Sequence, residues 1–281
     1  MKVFFSEAAS ISASSRARLH VRWAVRNLFK ELSTRPIRRL SIFAGGMANL
    51  KFETKVADII PRTYNVKSFR FPRASSLNYK AGQYMIVTLK IGGQETRKPF
   101  SISSSPTEKD YIEFTKKLTG HPFSNGLETL KVGDAVTIDA PYGNFTFEGE
   151  HERIGLFSGG VGITPLRSIC KFCTEMKLNT KVTLLYGNRT EADIVFRQEL
   201  EQMQRQNNSL KVVLTLAEPE AKWEGHTGNI DAEMIKKEIP EYPETVFYVC
   251  GPPAMVQAME NLLKALDVPA KNLRKENFAG Y

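Results

Sequence analysis

The sequence is poor in the residues that build disulfide frameworks and metal centres. Its 281 residues include three cysteines, Cys170, Cys173 and Cys250, and four scattered histidines. Three cysteines cannot form a disulfide framework, and a zinc or iron–sulfur centre needs about four suitably spaced ligands. We therefore expect a reducing compartment, no metal site and no iron–sulfur cluster within the chain. The Cys170-x-x-Cys173 pair lies inside a predicted helix, where core packing is its expected role.

Long apolar runs are also missing, and the excess of positive charge is local. No stretch approaches the ~18 consecutive apolar residues of a transmembrane helix, so we expect no membrane span. The net charge is +9, but residues 1–46 hold nine Lys/Arg against two acids. The rest of the chain is nearly neutral, which argues against a nucleic-acid partner.

Residues 1–46 form a basic leader that is rich in Arg and Ser. Within it, Val21, Val25, Leu28 and Leu32 recur at helical spacing. Three interpretations stay open: a mitochondrial-type presequence, a membrane-surface helix, and a translation start at Met47 that leaves the leader out of the protein. We expect a cytoplasmic protein, or a mitochondrial one if the leader is a genuine presequence.

The body of the chain changes its rhythm near residue 150. Up to about residue 140, short strand-like segments alternate with Gly and Pro turns, which predicts a small antiparallel β-barrel. Beyond residue 149, apolar strands alternate with helical segments, which predicts a parallel sheet covered by helices. The predicted domains are therefore 47–150 and 151–281. The predicted strands are 52–59, 66–71, 84–89, 100–103, 112–117, 136–139, 154–158, 182–186, 212–216 and 246–250, and the predicted helices are 165–176, 198–206, 232–239 and 254–266.

Three short motifs stand at or near the ends of strand-like stretches. They are Lys98-Pro99-Phe100-Ser101, Gly159-Gly160-Val161-Gly162-Ile163-Thr164-Pro165, and Cys250-Gly251-Pro252-Pro253. The glycines of the second motif let a backbone pass close to a ligand, Thr164 is predicted to cap the next helix, and Pro165 suits its first turn. The N-terminus of that helix would then face a pyrophosphate.

With these motifs in this order, the body from about residue 50 to residue 281 resembles the ferredoxin–NAD(P) reductase superfamily in its compact, oxygenase-reductase-like form. The resemblance implies an antiparallel flavin-binding β-barrel followed by a parallel-sheet, Rossmann-like NAD(P)-binding domain. It implies hydride transfer from NADH or NADPH to FAD, with FMN left open, and electron transfer to a separate acceptor such as a ferredoxin or an oxygenase component. The alternatives are a stand-alone flavin or quinone reductase and a non-catalytic flavin-binding redox sensor.

The flavin would be held by the first motif, which matches the family's Arg-x-Tyr-Ser pattern. The resemblance implies that Phe100 packs on the isoalloxazine, that Ser101 bonds near its reactive nitrogen, and that Lys98 pairs with phosphate. Lys98 stands where the family has Arg, and lysine pairs with a phosphate as a point charge without the bidentate fork. Arg97 is not an automatic substitute, since successive strand residues face opposite ways. The other implied flavin contacts are Pro99, Ser103, Gly120, Phe123 and Ser124, the last three from a turn at a helix N-terminus.

The nicotinamide nucleotide would be held by the second domain. The resemblance implies contacts from Gly159, Gly160, Gly162, Thr164, Pro165, Gly251 and Pro252. At the end of the next strand, Arg189 and Arg197 would attract the 2′-phosphate of NADPH, while Glu191 and Asp193 would repel it. We favour NADH on this mixed pattern and predict Phe196 beside the adenine.

Three residues are implied to line the site of hydride transfer: Ser101, Cys250 and Glu276. Cys250 would lie beside the reacting nicotinamide carbon, and Phe278 would cover the flavin. We do not expect Cys250 to act as a nucleophile, because nothing in the sequence supplies the base that would activate it.

Overall fold

A computed structural model describes residues 49–278 of the chain. The leader at 1–46, with its three interpretations, and residues 279–281 lie outside the described residues. Within its described residues, the first domain contains seven strands and one helix. Their order is β1 (Leu50–Lys55), β2 (Asp58–Thr63), β3 (Val66–Pro72), β4 (Tyr84–Ile91), β5 (Gln94–Ser101), β6 (Tyr111–Lys117), α1 (Pro122–Thr129) and β7 (Ala135–Tyr142).

These strands form two antiparallel sheets around one aromatic core. The sheet orders are β1-β7-β4-β5 and β2-β3-β6, and an isolated bridge between Ile102 and Phe114 joins the end of β5 to β6. Phe114 stacks on Phe69, Phe71 and Phe100 with ring centroids 5.0, 5.8 and 4.4 Å apart. This aromatic layer fixes the position of the β5 end, where the first motif lies.

The predicted strand at 52–59 is in fact two strands, because the chain changes sheets in its middle. The amide of Val56 donates to the Asp134 carbonyl beside β7, whereas the next amide, of Ala57, donates to Arg70 in β3. Val56 is buried in the core at this crossing. A pattern of alternating residues does not reveal such a change of partner.

The second domain is a parallel sheet with helices on both faces. Its elements are β8 (Arg153–Gly159), α2 (Ile163–Glu175), β9 (Lys181–Asn188), α3 (Arg197–Gln206), β10 (Leu210–Leu216), β11 (His226–Thr227), α4 (Ala232–Glu238), β12 (Val246–Gly251), α5 (Pro253–Ala265) and β13 (Leu273–Asn277). The strand order is β11-β10-β9-β8-β12-β13, and every neighbouring pair is parallel. The predicted fold class is therefore confirmed.

The strand order reverses between β8 and β12, which makes this the switch point of the sheet. From β8 the chain moves outward through β9 and β10 to β11, and it then returns to the other side of β8 as β12. Ligands of open α/β sheets bind at the carboxyl ends of the strands at such a point. The glycine-rich turn leaves β8 here, and Cys250-Gly251-Pro252 ends β12 here.

Strands at sheet edges were the elements that the sequence predicted least well. β11 and β13 were not predicted, and β5 begins at Gln94 rather than at residue 100. β13 lies at one edge of its sheet and β5 at one edge of its own, and both carry charged, exposed residues. Edge strands tolerate such residues, so the apolar pattern that marks a buried strand is absent. Among residues 49–278 no helix is both long and apolar enough to cross a membrane.

The aromatic layer yields a stability prediction. We expect Phe71→Ala to lower the free energy of unfolding by about 3–5 kcal/mol, since it removes a fully buried ring and leaves a cavity. Val132→Ala is the control, because the Val132 side chain is exposed and its loss should change that free energy by no more than about 0.5 kcal/mol. Urea denaturation measures both, and equal losses would contradict the assigned core.

Candidate active site

The glycine-rich turn packs backbone to backbone against the end of β12. A Cβ on Gly162 would lie 2.4 Å from the Cys250 carbonyl oxygen and 2.7 Å from the Gly251 Cα. Gly160 differs, since its φ is +52° and a Cβ there would meet nothing within 4 Å. Gly162 is thus required for contact between the two turns, while Gly160 lines open space. A Cβ on Gly159 or Gly251 would instead strike the Met255 sulfur, at 2.7 and 2.8 Å.

Thr164 does not cap the following helix as predicted. Residues 160–162 wind into a short 3-10 turn, so α2 already begins at Ile163, and its N-cap is Gly162. Thr164 is the second residue of the helix, and its hydroxyl donates to the Val161 carbonyl at 3.2 Å. Pro165 lies in the first turn, as expected.

Among residues 49–278, three α-helices begin with neither a side-chain cap nor an acidic residue in the first turn, and each begins at a predicted cofactor segment. These helices are α1, α2 and α5. By contrast, Asp231 caps α4 and Glu233 lies in its first turn, and α3 carries Glu199 there. Free N–H groups and the positive end of the helix dipole favour an anion. The uncapped ends of α1 and α2 thus fit the phosphates of a flavin and of a nicotinamide nucleotide.

The three predicted catalytic residues lie together where the two domains meet. The Ser101 hydroxyl donates to Glu276 Oε2 at 3.2 Å, and Cys250 is the register partner of Glu276 across β12 and β13. Beyond β13, the Phe278 amide donates to the Gly251 carbonyl at 3.0 Å. β13 therefore carries a carboxyl group from the nucleotide domain to the end of the flavin strand.

Burial sets the protonation of this cluster. It raises the pKa of Glu276 to about 7, although the hydrogen bond from Ser101 acts in the opposite direction. Burial, together with the Glu276 carboxylate, raises the pKa of the Cys250 thiol well above its ordinary value. Cys250 is therefore a neutral thiol near pH 7, unsuited to nucleophilic attack. Glu276 can hold or release a proton near neutral pH.

The aromatic surface beside Ser101 is formed by two tyrosines that the sequence analysis missed. Tyr84 is the register partner of both Ser101 and Tyr142, and the two tyrosine rings stack at 5.5 Å. Phe100 points to the other face of the strand, where it stacks on Phe114 and is only 8% exposed. Strand alternation requires this separation of Phe100 from Ser101, but the pairing of β4 with β5 had to be known to find Tyr84.

The phosphate end of the flavin segment carries two lysines on the face of the strands that Phe100 and Phe114 share. Lys98, two residues before Phe100, is exposed and has no ion-pair partner among residues 49–278. Lys116, two residues after Phe114, was missed by the sequence analysis; its burial lowers its pKa to about 8. Arg97 faces the other way and pairs with Asp139 at 3.4 Å.

The turn at the start of α1 completes this end of the segment. Gly120 has φ +74°, and a Cβ there would meet nothing within 4 Å. Phe123 tilts against Phe100 with centroids 5.5 Å apart, and the Ser124 hydroxyl accepts from the Thr119 amide at 3.2 Å. Phe123 and Ser124 thus shape the turn, and Pro99 is exposed on the Ser101 face of β5. Lys98, Lys116, the open Gly120 turn and the uncapped helix together fit a flavin phosphate.

Two predicted cofactor contacts lie elsewhere. Ser103 is fully buried, and its hydroxyl donates to Glu113 at 2.8 Å, so it is not available to a flavin. Phe196 is 4% exposed, and its ring lies under the guanidinium groups of Arg62 and Arg167 at 4.7 and 5.6 Å rather than beside an adenine. Both residues belong to the contact between the domains, which no local pattern in the sequence reveals.

Both arginines that were predicted for a 2′-phosphate already pair with carboxylates. Arg189 Nε lies 2.9 Å from Glu218, and Arg197 pairs with Glu191 and, at 3.0 Å, with Glu201. A 2′-phosphate at either arginine would therefore meet a carboxylate as well.

Two family models and several known proteins are similar to this chain. The family model described as Oxidoreductase FAD-binding domain matches residues 50–147, and the one described as Oxidoreductase NAD-binding domain matches residues 156–261. NADH-cytochrome b5 reductase 1 of Candida glabrata is 32% identical, over 79% of this chain and 82% of the relative. The glycine betaine monooxygenase reductase subunit of Chromohalobacter salexigens is 27% identical, over 82% of this chain and 65% of the relative. Among solved structures, the FAD/NAD-binding domain of the Vibrio cholerae nitric oxide dioxygenase is similar with a TM-score of 0.73 at 25% identity, over 80% of this chain and 98% of that one.

The buried carboxyl at position 276 yields a pH prediction. Folding raises its pKa from 4.5 to about 7, so the folded protein binds this proton more tightly than the unfolded chain does. The corresponding stability is fully present below about pH 4.5 and is lost as the pH rises through about 7. We expect the Tm of wild type to fall more between pH 5 and 7 than that of Glu276→Gln.

Glu260→Gln is the control for this pH series, because Glu260 forms an ion pair with Lys275 at the other side of β13. It should keep the wild-type slope. Parallel Tm curves for wild type and Glu276→Gln at equal FAD loading would contradict the raised pKa.

Proposed function

The chain belongs to the ferredoxin reductase-like superfamily of FAD- and NAD(P)-binding oxidoreductases and is an NAD(P)H-dependent flavoprotein reductase; on that premise we propose that it takes its hydride from NADH and delivers electrons to a separate redox protein. The meeting of Ser101 and Glu276 beside Cys250 is the observation that supports hydride transfer at this site. A hydroxyl from the flavin domain and a carboxyl from the nucleotide domain thus meet beside the carboxyl end of β12, at the switch point of the sheet.

The residues of the chain divide the work of hydride transfer. Bound FAD would supply the chemistry of accepting a hydride and of releasing electrons singly or as a pair. The uncapped α1 and α2 would hold the phosphates, while the open backbone at Gly160 would let the nucleotide approach. Ser101 orients the flavin edge, and Glu276 holds or releases a proton at its carboxyl oxygens. Cys250 stays neutral, so it fills the site without competing as a nucleophile.

NADH is the donor that the charges favour. Three carboxylates, of Glu191, Glu201 and Glu218, accompany the two arginines that a 2′-phosphate would need. Placing a phosphate beside like charges costs free energy, whereas the free hydroxyls of an NADH ribose can donate hydrogen bonds to carboxylates.

A protein acceptor is proposed from the names of the relatives. One is named for cytochrome b5 and another for a monooxygenase. An acceptor of either kind carries a one-electron centre, which suits a flavin that receives electrons in pairs. A free flavin or a quinone is the competing acceptor, and the experiment below separates the two.

Steady-state kinetics test the proposal. We expect kcat/KM for NADH to exceed that for NADPH by roughly tenfold or more, equivalent to about 1.4 kcal/mol. Glu218→Gln leaves Arg189 without its carboxylate and should narrow the ratio of the two kcat/KM values, whereas Glu244→Gln, at the amino-terminal end of β12, should not. Cytochrome b5 and ferredoxin should be reduced faster than free FMN or a quinone. A preference for NADPH would refute the donor assignment, and faster reduction of FMN or a quinone would refute the protein acceptor.

The lysine at position 98 yields a cofactor prediction. Arginine offers a phosphate two parallel hydrogen bonds where lysine offers a point charge, so Lys98→Arg should lower the Kd for FAD and Lys98→Gln should raise it. Equilibrium dialysis of flavin-stripped protein measures both. Lys90→Gln, an exposed lysine farther along the same sheet, is the control. An unchanged Kd in both Lys98 variants would exclude Lys98 from the phosphate site.

A further inference from the structure

Six charged side chains form a continuous chain of ion pairs that crosses from the flavin domain to the nucleotide domain and back. Acids and bases alternate along it, and the five contacts measure between 2.5 and 3.0 Å. Four members come from the flavin domain, while Glu199 and Arg167 come from α3 and α2 of the nucleotide domain. The order is Arg70, Glu113, Arg62, Glu199, Arg167, Glu108.

Arg167 is the member that uses its whole guanidinium group. Its side chain is 3% exposed. Nε and Nη2 donate to Glu199 at 3.0 and 2.6 Å, while Nη1 and Nη2 donate to Glu108 at 2.5 and 3.2 Å. Burial is the largest single influence and would raise the pKa of both glutamates. The charge and hydrogen bonds of Arg167, joined by hydrogen bonds from Tyr111 and Ser105 at Glu108 and by Arg62 at Glu199, together lower both pKa values. The pairs are therefore ionised at neutral pH.

The same side chain also donates a hydrogen bond to the backbone that follows the flavin strand β5. Arg167 Nη1 donates to the Ser103 carbonyl at 2.9 Å, and the hydroxyl of the next residue, Ser168, donates to the Ser104 carbonyl at 2.7 Å. Ser103 and Ser104 follow Ser101 by only two and three residues. α2 thus holds the continuation of the flavin strand about one turn after its own first residue, Ile163, which ends the nucleotide-binding turn.

The start of α2 therefore continues the glycine-rich turn of the nucleotide domain, while Arg167 and Ser168 of the same helix hold the backbone after Ser101 in the flavin domain. We propose that Arg167 is a positioning residue that sets the separation between the nucleotide-binding turn and Ser101. The proposal rests on hydride transfer at that site. Lysine cannot replace Arg167 in this role, since an ammonium has no planar fork to reach two carboxylates and a carbonyl at once.

Anaerobic stopped-flow reduction of the FAD-loaded protein by NADH is the first test. A displacement of about 1 Å can slow a positioned reaction by about 100-fold, so Arg167→Met and Arg167→Lys should each lower the limiting rate of flavin reduction at least ~10-fold. The Kd for NADH should change little, because no nucleotide contact is removed. Ser168→Ala, which deletes a single hydrogen bond, should give a smaller loss. Arg153→Met is the matched control, since Arg153 pairs with Glu244 at the amino-terminal ends of β8 and β12, away from the carboxyl ends that hold the site.

Amide hydrogen exchange supplies a readout that does not depend on turnover. Residues 102–105 should exchange faster in Arg167→Met and Ser168→Ala than in wild type, and at the wild-type rate in Arg153→Met. Variants that lose thermal stability but keep both the wild-type limiting rate and the wild-type exchange would overturn the proposal. If Arg167→Met does not fold, Ser168→Ala and Arg167→Lys decide. If NADH does not reduce the flavin of wild type, the proposed function fails. If NADH reduces wild type and the Arg167 variants at equal rates, only the positioning role of Arg167 fails.

Discussion

The hold of Arg167 on the flavin strand is the interaction on which the geometry of the site depends. Hydride transfer needs its two reacting atoms about 3–3.5 Å apart, yet here separate domains hold the two ligands. Arg167 and Ser168 bind the carbonyls that follow Ser101, and their helix starts at the nucleotide-binding turn. A shift between the domains would therefore move Ser101 away from Glu276.

The buried charges around Arg167 fix the relative placement of the two domains more than they stabilise the fold. A buried ion pair gives little net stability compared with apolar packing, because desolvation opposes the Coulomb attraction. Glu113 is fully buried between two arginines, and Arg167 joins two acids from different elements. Such a chain is satisfied in one relative placement of its elements, and sliding either domain would leave a buried charge unpaired.

The helices that begin at the predicted cofactor site lack the side-chain caps that ordinarily stabilise a helix N-terminus. Asp231 caps α4 in the ordinary manner, whereas α1 and α2 leave their first N–H groups without a side-chain partner. A missing cap costs about 1 kcal/mol of helix stability, which the phosphates of bound cofactors can offset. Glu276 is a second departure, since a carboxyl buried enough to titrate near neutrality also opposes folding at higher pH.

The sequence predicts most of this architecture, and what it misses has a common cause. Apolar strands and glycine turns are local signals, so the order of the two domains and the meeting of Cys250 with Glu276 follow from motifs and resemblance. Tyr84 was missed because its place beside Ser101 depends on strand register, and the burial of Phe196 was missed because Arg62, which covers its ring, comes from the other domain. Contacts made across strands or domains leave no periodicity in the chain.

A crystal structure of the protein with FAD and NAD⁺ bound tests the central claim most directly. We expect the flavin on the Ser101, Tyr84 and Tyr142 face, with its phosphates at the start of α1 and its reactive nitrogen beside Ser101 and Glu276. The nicotinamide carbon should approach that nitrogen to within about 3–4 Å. A flavin bound away from Ser101, or a nicotinamide held away from Cys250 with the two domains in the same placement, would contradict it.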